Sequence, residues 1–150
     1  MMLEFLHKLF TYDEWAISRS LSSLENPDNS KASLLLSHIL LAEKIWLLRL
    51  NGKGSSHIPT FEGFSLAECA EMSDEIHQRY LKFLDSLSEE DLNSSITYKN
   101  TKGIEFQTPI KDILTHVGLH AVYHRGQIAL LVRENGGQAV DTDFITFTRL

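Results

Sequence analysis

The sequence predicts an all-α fold, a four-helix bundle with a short β-hairpin before its last helix. Four long segments repeat their apolar residues every three or four positions, which is the spacing of one helical face. Short polar segments rich in glycine, proline or asparagine separate them. No internal repeat, low-complexity tract or linker divides the 150 residues, so we expect a single domain over 1–150.

The first two predicted helices occupy about 3–24 and 32–50. The segment 25–29 ends the first helix, because it contains Pro27 and two asparagines. Gly52 ends the second helix. This second helix is apolar on nearly every side, which predicts burial inside the bundle or at a subunit interface.

A capping box marks the start of the third helix. The Ser65 side chain can accept a hydrogen bond from the backbone of Glu68, whose carboxylate can reach back to the serine N–H. The apolar face that follows continues to Leu87. Residues 95–98 and 104–108 then alternate around a polar turn, which is a weak hairpin signal.

The last helix is predicted to begin at the pair Thr108-Pro109. Threonine is a common N-cap residue, and proline is favoured at the first helical position. This helix should reach about residue 134, where two glycines end it. We expect the tail, 140–150, to pack as an extended segment.

The composition favours a cytoplasmic protein that binds neither nucleic acid nor membrane. The chain has 20 acidic and 14 basic residues, a net charge of −6, and its basic residues are scattered. No apolar run approaches a membrane span, and the N-terminus lacks the features of a secretory signal. The lone cysteine, Cys69, cannot form an internal disulfide, which suits a reducing compartment, and we interpret it as a small core residue.

Three of the seven histidines lie four residues apart on the last predicted helix. Two imidazoles at that spacing can hold one metal ion, although random placement would give roughly 0.3 such pairs. The run of three is therefore the stronger signal. Each four-residue step rotates by about 40°, so the three cannot contribute equally. The apolar stripe contains His120 and His124 and leaves His116 to one side, which makes His120 and His124 the predicted ligands.

His38 extends the predicted site to a second helix. It lies in the apolar stripe of the second helix, which can face the last one. Three buried imidazoles without partners would be unfavourable, and a divalent ion relieves that cost. The alternative for each is a core histidine with satisfied hydrogen bonds. We expect the remaining histidines on the surface, namely His7, His57 and His77.

Four motifs in this order resemble the DinB-like (YfiT-like) superfamily of metal-dependent bacterial proteins. Residues 12–16, YDEWA, are similar to its first-helix signature. Residues 37–46 are similar to its second-helix motif, whose histidine is a metal ligand, and 120–128 to its strongest motif, which holds the other two ligands. Residues 142–145 are similar to its C-terminal signature.

The resemblance covers nearly the whole chain and implies an up-down-down-up bundle, often a homodimer. That order needs a long crossover, which we expect at 51–64. It also implies one zinc, nickel or similar ion held by His38, His120 and His124. Some members of the superfamily use low-molecular-weight thiols such as bacillithiol or mycothiol, as S-transferases or isomerases, while for most members no substrate is established.

Three histidine ligands leave a coordination position open, which is typical of catalytic rather than structural zinc sites. The leading hypothesis is a metal-dependent enzyme that activates a thiol, as an S-transferase on a small-molecule substrate, or water, as a hydrolase. One alternative is a non-catalytic metal-binding stress or damage-inducible protein. Another is a dimeric interaction module.

The sequence offers no clear general base for such an enzyme. Asp13, Glu14 and Glu43 are candidates, and each fits better a surface acid or an acid that supports the ligands. Tyr123 and Arg125 flank His124 but are turned about 100° to either side of it. They could contact a substrate, and packing against neighbouring helices is the preferred interpretation.

Overall fold

The computed structural model describes residues 1–25 and 29–150 and confirms a mostly helical chain. Its long helices are α1 (Met2–Ser22), α2 (Ser30–Leu50), α3 (Leu66–Asp85) and α4 (Ile110–Glu134). A 3-10 turn (Asp91–Asn93) and two strands, β1 (Ser95–Lys99) and β2 (Glu105–Pro109), connect α3 to α4, and a short helix α5 (Phe144–Phe147) lies near the end. The predicted break at 25–29 rests on Pro27, which lies outside the described residues.

Helices α1 and α3 pack antiparallel. Phe10 stacks on Tyr80 with ring centroids 4.6 Å apart, and one turn later Glu14 pairs with His77. Moving forward along α1 therefore means moving backward along α3.

Helices α2 and α4 are also antiparallel. The ring of His38 lies 4.7 Å from that of His124, while Trp46 lies 5.5 Å from His116. The start of α2 thus faces the middle of α4, and the end of α2 faces the first turns of α4.

Helices α2 and α3 run parallel, which completes the up-down-down-up order. Ser37 contacts Cys69 near the start of both helices, and the Tyr80 hydroxyl donates to the Glu43 carbonyl further along both. Parallel neighbours cannot be joined by a tight turn, so residues 51–65 return along the bundle. This crossover agrees with the segment expected from the sequence.

Local sequence explains where the middle elements begin. Ser65 Oγ accepts from the Glu68 N–H at 3.1 Å and Glu68 Oε2 accepts from the Ser65 N–H at 2.8 Å, so the predicted capping box is present. In the hairpin turn, Asn100 Oδ1 accepts two backbone N–H groups, and Gly103 adopts a φ of +77°, a conformation that glycine tolerates best.

The predicted start of the last helix was wrong by one residue. Thr108 is paired with Ile96 in the strand ladder, and Pro109 has extended geometry, with φ −58° and ψ 143°. Pro109 is therefore the last strand residue and the N-cap, and α4 begins at Ile110. The ladder pairing holds Thr108 in the strand, so it cannot cap the helix.

The tail is not wholly extended, in contrast to the prediction. Asp141 accepts from the Asp143 N–H and the Thr146 hydroxyl, which starts the short helix α5. This turn places Phe144 edge-on to Tyr12, with ring centroids 5.1 Å apart. Aromatic packing against α1 thus selects a helical turn that the composition of the tail did not reveal.

The core lies between the four long helices. Each helix contacts two neighbours, α1 packing on α3 and α4, and α2 packing on the same two. The buried side chains of α2 explain its nearly all-round apolar sequence, because both sides of this helix face partners within one chain. Among the described residues, no helix has the length and apolar character needed to cross a membrane.

We expect Ser65→Ala to lower the free energy of unfolding by about 1 kcal/mol, because the backbone N–H of Glu68 loses its acceptor. In a chain of this size that corresponds to a melting temperature lower by about 2–4 °C, measurable by circular dichroism. Ser94→Ala is the control, since Ser94 is exposed and its hydroxyl has no hydrogen bond in the described part of the chain. Equal melting temperatures for the two variants would contradict a stabilising cap.

Candidate metal centre

One histidine of α2 and two of α4 meet on one side of the bundle. One ring nitrogen of each of His38, His120 and His124 lies within 4.8 Å of the other two, and all three side chains are partly buried. The Nε2 atoms of His120 and His124 are 3.2 Å apart. Within 1–25 and 29–150, no other histidine, cysteine or acidic residues form a group of this kind.

The positions of these residues follow from helix geometry. His120 and His124 are neighbours on one face because they are four residues apart, and their ring centroids are 4.5 Å apart. The antiparallel packing of α2 then places His38 edge-on to both rings, at 5.1 Å from His120 and 4.7 Å from His124. These are the three histidines expected from the sequence to hold a metal ion.

Hydrogen bonds orient two of the three rings. His38 Nδ1 lies 2.6 Å from the Thr60 carbonyl oxygen, and His124 Nδ1 lies 2.6 Å from Gln127 Oε1. Both partners are acceptors, so each Nδ1 carries the ring proton and each Nε2 keeps a free lone pair. Metal-ligating histidines are typically held in this way.

The spacing of the nitrogens fits a divalent ion. Two nitrogens that each bind a tetrahedral ion at the usual distance would lie roughly 3.3 Å apart. The observed 3.2 Å between the Nε2 atoms of His120 and His124 is close to that value. Two lone pairs at this distance repel each other unless a proton or a cation lies between them.

The electrostatics favour the neutral form of the His120 and His38 rings. Burial first, and then the neighbouring histidines, lower the pKa of His120 to about 4. Burial also lowers the pKa of His38, against the hydrogen bond to Thr60, which raises it. Neutral imidazole is the form that binds metal, so the donor set suits an ion near neutral pH.

The crossover covers the cluster from outside. Phe61 stacks on the ring of His38, with centroids 4.1 Å apart and planes within 4° of parallel. Thr60, which accepts from His38, is its neighbour in the chain. Sequence reasoning missed both residues, as nothing in a glycine-rich loop indicates where it folds back. It also missed Gln127, although its position three residues after His124 is a local signal.

His116 lies outside the cluster. Its ring is 5.6 Å from that of His120 and packs edge-on against Trp46 at 5.5 Å. Burial lowers the pKa of His116 as well. The angular offset noted in the sequence therefore directs this ring toward the end of α2 rather than toward His38.

The remaining histidines fall in two classes. His57 is exposed in the crossover, and His7 is partly exposed, 3.3 Å from Asp85. The prediction of a surface position was wrong for His77, which is 8% exposed and pairs with Glu14 at 2.9 Å. An acid on α1 gives this ring a partner inside the bundle, and a single amphipathic helix cannot reveal that partner.

The three candidate bases do not contact the histidine cluster. Glu14 pairs with His77, while Asp13 forms a buried ion pair with Arg125. Glu43 is also buried, and none of the three acids hydrogen-bonds to a ring of the cluster in the described residues. Asp13 and Glu43 are thus core residues and not surface acids.

Asp13, Glu43 and Arg125 form a buried charged group that links three helices. The Arg125 guanidinium lies over the Tyr12 ring at 5.1 Å, and its Nε and Nη2 have no hydrogen-bond partner in the part of the chain described. Burial, and then the negative charge of Asp13, raise the pKa of Glu43 well above its usual range. The fold therefore favours the protonated, neutral form of the Glu43 carboxyl.

Tyr123 and Arg125 flank His124 but have opposite environments. Tyr123 is exposed, with its ring 5.1 Å from that of His124. Arg125 is only 3% exposed, as expected for a residue that packs against neighbouring helices.

Comparisons with known proteins agree with the fold. The sequence model of the DinB family matches residues 6–150. Protein DinB of Bacillus subtilis (strain 168) is 27% identical over 162 residues, covering 95% of this chain and 93% of that protein. The crystal structure of a DinB-like protein from Bacillus cereus ATCC 10987 superposes with a TM-score of 0.61 at 19% identity, covering 93% of this chain and 94% of that one.

We expect Glu43→Gln to raise stability at alkaline pH. Because the folded-state pKa of Glu43 is raised, its stabilising contribution is complete below its unfolded value of about 4.5 and is lost as pH rises through the folded value. Glutamine cannot ionise, so the melting temperature of the variant relative to wild type should increase from pH 5 to pH 9, with chelator present in both samples.

Glu71→Gln is the control for the Glu43 measurement, as Glu71 is exposed on α3. Its melting temperature should follow that of wild type across the same pH range. A difference in melting temperature between Glu43→Gln and wild type that stays constant from pH 5 to pH 9 would show that the carboxyl is ionised in the fold.

Proposed function

This chain belongs to the DinB family, and on that premise we propose that it is a metal-dependent enzyme whose divalent ion is held by His38, His120 and His124. The observation that carries the proposal is the 3.2 Å separation of two Nε2 atoms, with the Nδ1 of His124 directed to Gln127. Imidazole ligands suit zinc and nickel, which are the ions we propose.

In this proposal three histidines hold the ion, and two other residues orient two of these ligands. Thr60 and Gln127 fix the rings of His38 and His124, which keeps each Nε2 directed at one point. An ion bound by three neutral ligands would keep its full charge and an open position, and would promote ionisation of a thiol or a water there.

We propose thiol transfer as the first reaction and hydrolysis as the second. In thiol transfer, the sulfur of a low-molecular-weight thiol forms a bond to an electrophilic carbon of the small-molecule substrate. The leaving group departs with its bonding electrons, and the thiol proton passes to solvent, because no carboxylate of the described chain contacts the cluster.

The thiol must come from outside the chain. Cys69 is fully buried against Ser37, and burial raises the pKa of its thiol. A buried neutral thiol is a poor nucleophile. A free low-molecular-weight thiol needs a reducing compartment, which is why we propose the cytoplasm as the site of action.

A non-catalytic metal-binding stress or damage-inducible protein is the second candidate function. The observation that favours it is that Asp13, Glu14 and Glu43 all have partners or surroundings away from the cluster. A site without a general base can still bind an ion for stability or sensing.

Replacing His124 by alanine should abolish binding of the ion, because two ligands on different helices hold it far more weakly than three. The measurement is metal content of protein purified without a nickel column. His57→Ala and His116→Ala are the controls and should keep about one ion per chain. Full occupancy in His124→Ala would contradict the assignment.

An activity assay on wild type and His124→Ala distinguishes the enzyme hypothesis from the non-catalytic alternative. Wild type loaded with zinc or nickel should consume free thiol in the presence of an aryl halide, and His124→Ala should do so only at the uncatalysed rate. Loaded wild type that stays at the uncatalysed rate across a panel of thiols, electrophiles and hydrolysable esters would favour the second candidate function.

We also propose a homodimer, formed by the outer face of α4. Leu119, Tyr123 and Leu130 are 64%, 65% and 55% exposed and lie on one helical stripe with Gly126, which has open space around it. Large apolar side chains around a small residue suit a close self-complementary contact. The apolar character of α2 no longer argues for this dimer, because α2 is buried within one chain.

Leu130→Glu should convert the dimer to monomer at micromolar concentration, because a twofold interface would bring two new carboxylates together. Sedimentation velocity measures the change. Leu34→Glu is the control, as Leu34 is a 39% exposed leucine of α2 away from the stripe. Wild type that sediments only as monomer would overturn the dimer proposal.

A further inference from the structure

A cavity of about 690 Å³ lies beside the histidine cluster, on the other side of the crossover. The end of α2, the crossover and the hairpin form its walls. Thr60 contacts both the cavity and the cluster, since it lines the cavity and its carbonyl accepts a hydrogen bond from His38 Nδ1. Thr60 of the crossover therefore connects the wall of the cavity to the histidine cluster.

Arg49 is the most deeply buried charge in the wall of this cavity. The residue is 8% exposed, its Nε donates to Ser55 Oγ at 3.2 Å, and its guanidinium lies 4.5 Å from the Trp46 ring and 5.2 Å from the Tyr98 ring. Two aromatic rings and one hydroxyl thus fix the guanidinium in place.

Within 1–25 and 29–150, no acidic side chain forms an ion pair with Arg49. In the described residues, no carboxylate oxygen lies within 4 Å of the Arg49 guanidinium, and neither Nη atom has a hydrogen-bond acceptor. Burial lowers the pKa of Arg49, which records the unfavourable desolvation of its charge, yet arginine remains protonated. Two further cations, Lys53 and Lys99, and one carboxylate, Glu105, line the cavity. The cavity wall therefore carries a net positive charge, although the chain as a whole has a net charge of −6.

The cavity follows the same stripe of α2 as the metal-binding histidine. Arg49 lies eleven residues after His38, which is a rotation of only about 20° and an advance of about 16 Å. Ile45, between them on this stripe, also lines the cavity. A ligand in the cavity can therefore extend along α2 from the guanidinium toward the cluster.

We propose that Arg49 and this cavity bind an oxyanion, the carboxylate or phosphate group of the substrate or thiol used at the metal centre. A buried guanidinium with two free Nη groups is suited to a two-point contact with such a group. The identification of the ligand as a reactant rests on the proposed function. The anion site itself does not, because none of its side chains is a metal ligand.

The test is a titration of the metal-free full chain with inorganic phosphate and with succinate, followed by backbone and arginine Nε resonances. Saturable shifts should concentrate at Arg49, Ser55 and the hairpin, and neutral succinamide should produce none. Arg49→Gln should weaken binding about tenfold or more, as expected for loss of a charge-assisted hydrogen bond. The preferred anion distinguishes a phosphate from a carboxylate ligand.

Matched variants make the outcome decisive. Arg79→Gln removes an exposed arginine that pairs with Glu75, and it should bind the anion as wild type does. Arg49→Lys keeps the charge without the planar fork and should bind several-fold more weakly, which preserves the test if Arg49→Gln does not fold. Shifts spread over surface lysines, equal binding of succinamide, or unchanged affinity in Arg49→Lys would overturn the proposal.

Measuring zinc binding and phosphate binding in the same variants tests the anion site independently of the metal centre. Arg49→Lys should bind one zinc ion with wild-type affinity, and His124→Ala should bind phosphate with wild-type affinity. Loss of phosphate binding in His124→Ala would overturn an anion site independent of the cluster, whereas absence of zinc binding in wild type would overturn the metal centre alone.

Discussion

The parallel packing of α2 and α3 is the constraint on which the site depends. Helix α2 is 21 residues long, so its ends are about 31 Å apart, and residues 51–65 must return over much of that distance. A chain that makes this return has to lie against the bundle. It does so beside the stripe of α2 that contains His38 and Arg49, which is why Thr60 and Ser55 are available as their hydrogen-bond partners.

A second constraint acts inside the bundle. Asp13 on α1, Glu43 on α2 and Arg125 on α4 place two acidic groups and one cation in the core, where ionised groups are stable only when they compensate each other. A neutral Glu43 leaves one anion and one cation, so the group carries no net charge. Because Arg125 is the neighbour of His124 in the chain, its pairing with Asp13 also fixes the rotation of α4 that directs His124 toward His38.

The sequence could predict those features of the fold and the site that depend on the geometry of a single helix or on the family resemblance. Four-residue spacing placed His120 and His124 together, apolar periodicity placed His38 on an inward face, and the resemblance to a family gave the helix order. Other features depend on which segments meet after folding. Thr60 and Phe61 are more than twenty residues from His38, and the acid that pairs with His77 comes from another helix. The helical turn of the tail likewise requires the aromatic surface of α1, which exists only in the folded bundle.

The two halves of the site are built from different kinds of structure. The histidines stand on packed helices, while the hairpin and the crossover form most of the cavity wall around Tyr98 and Ser55. Loops accept insertions and substitutions more readily than packed helices do. On the proposed function, substitutions or insertions confined to these two connections would change which molecules the cavity accepts without moving the three histidines, so selectivity could evolve separately from the metal centre.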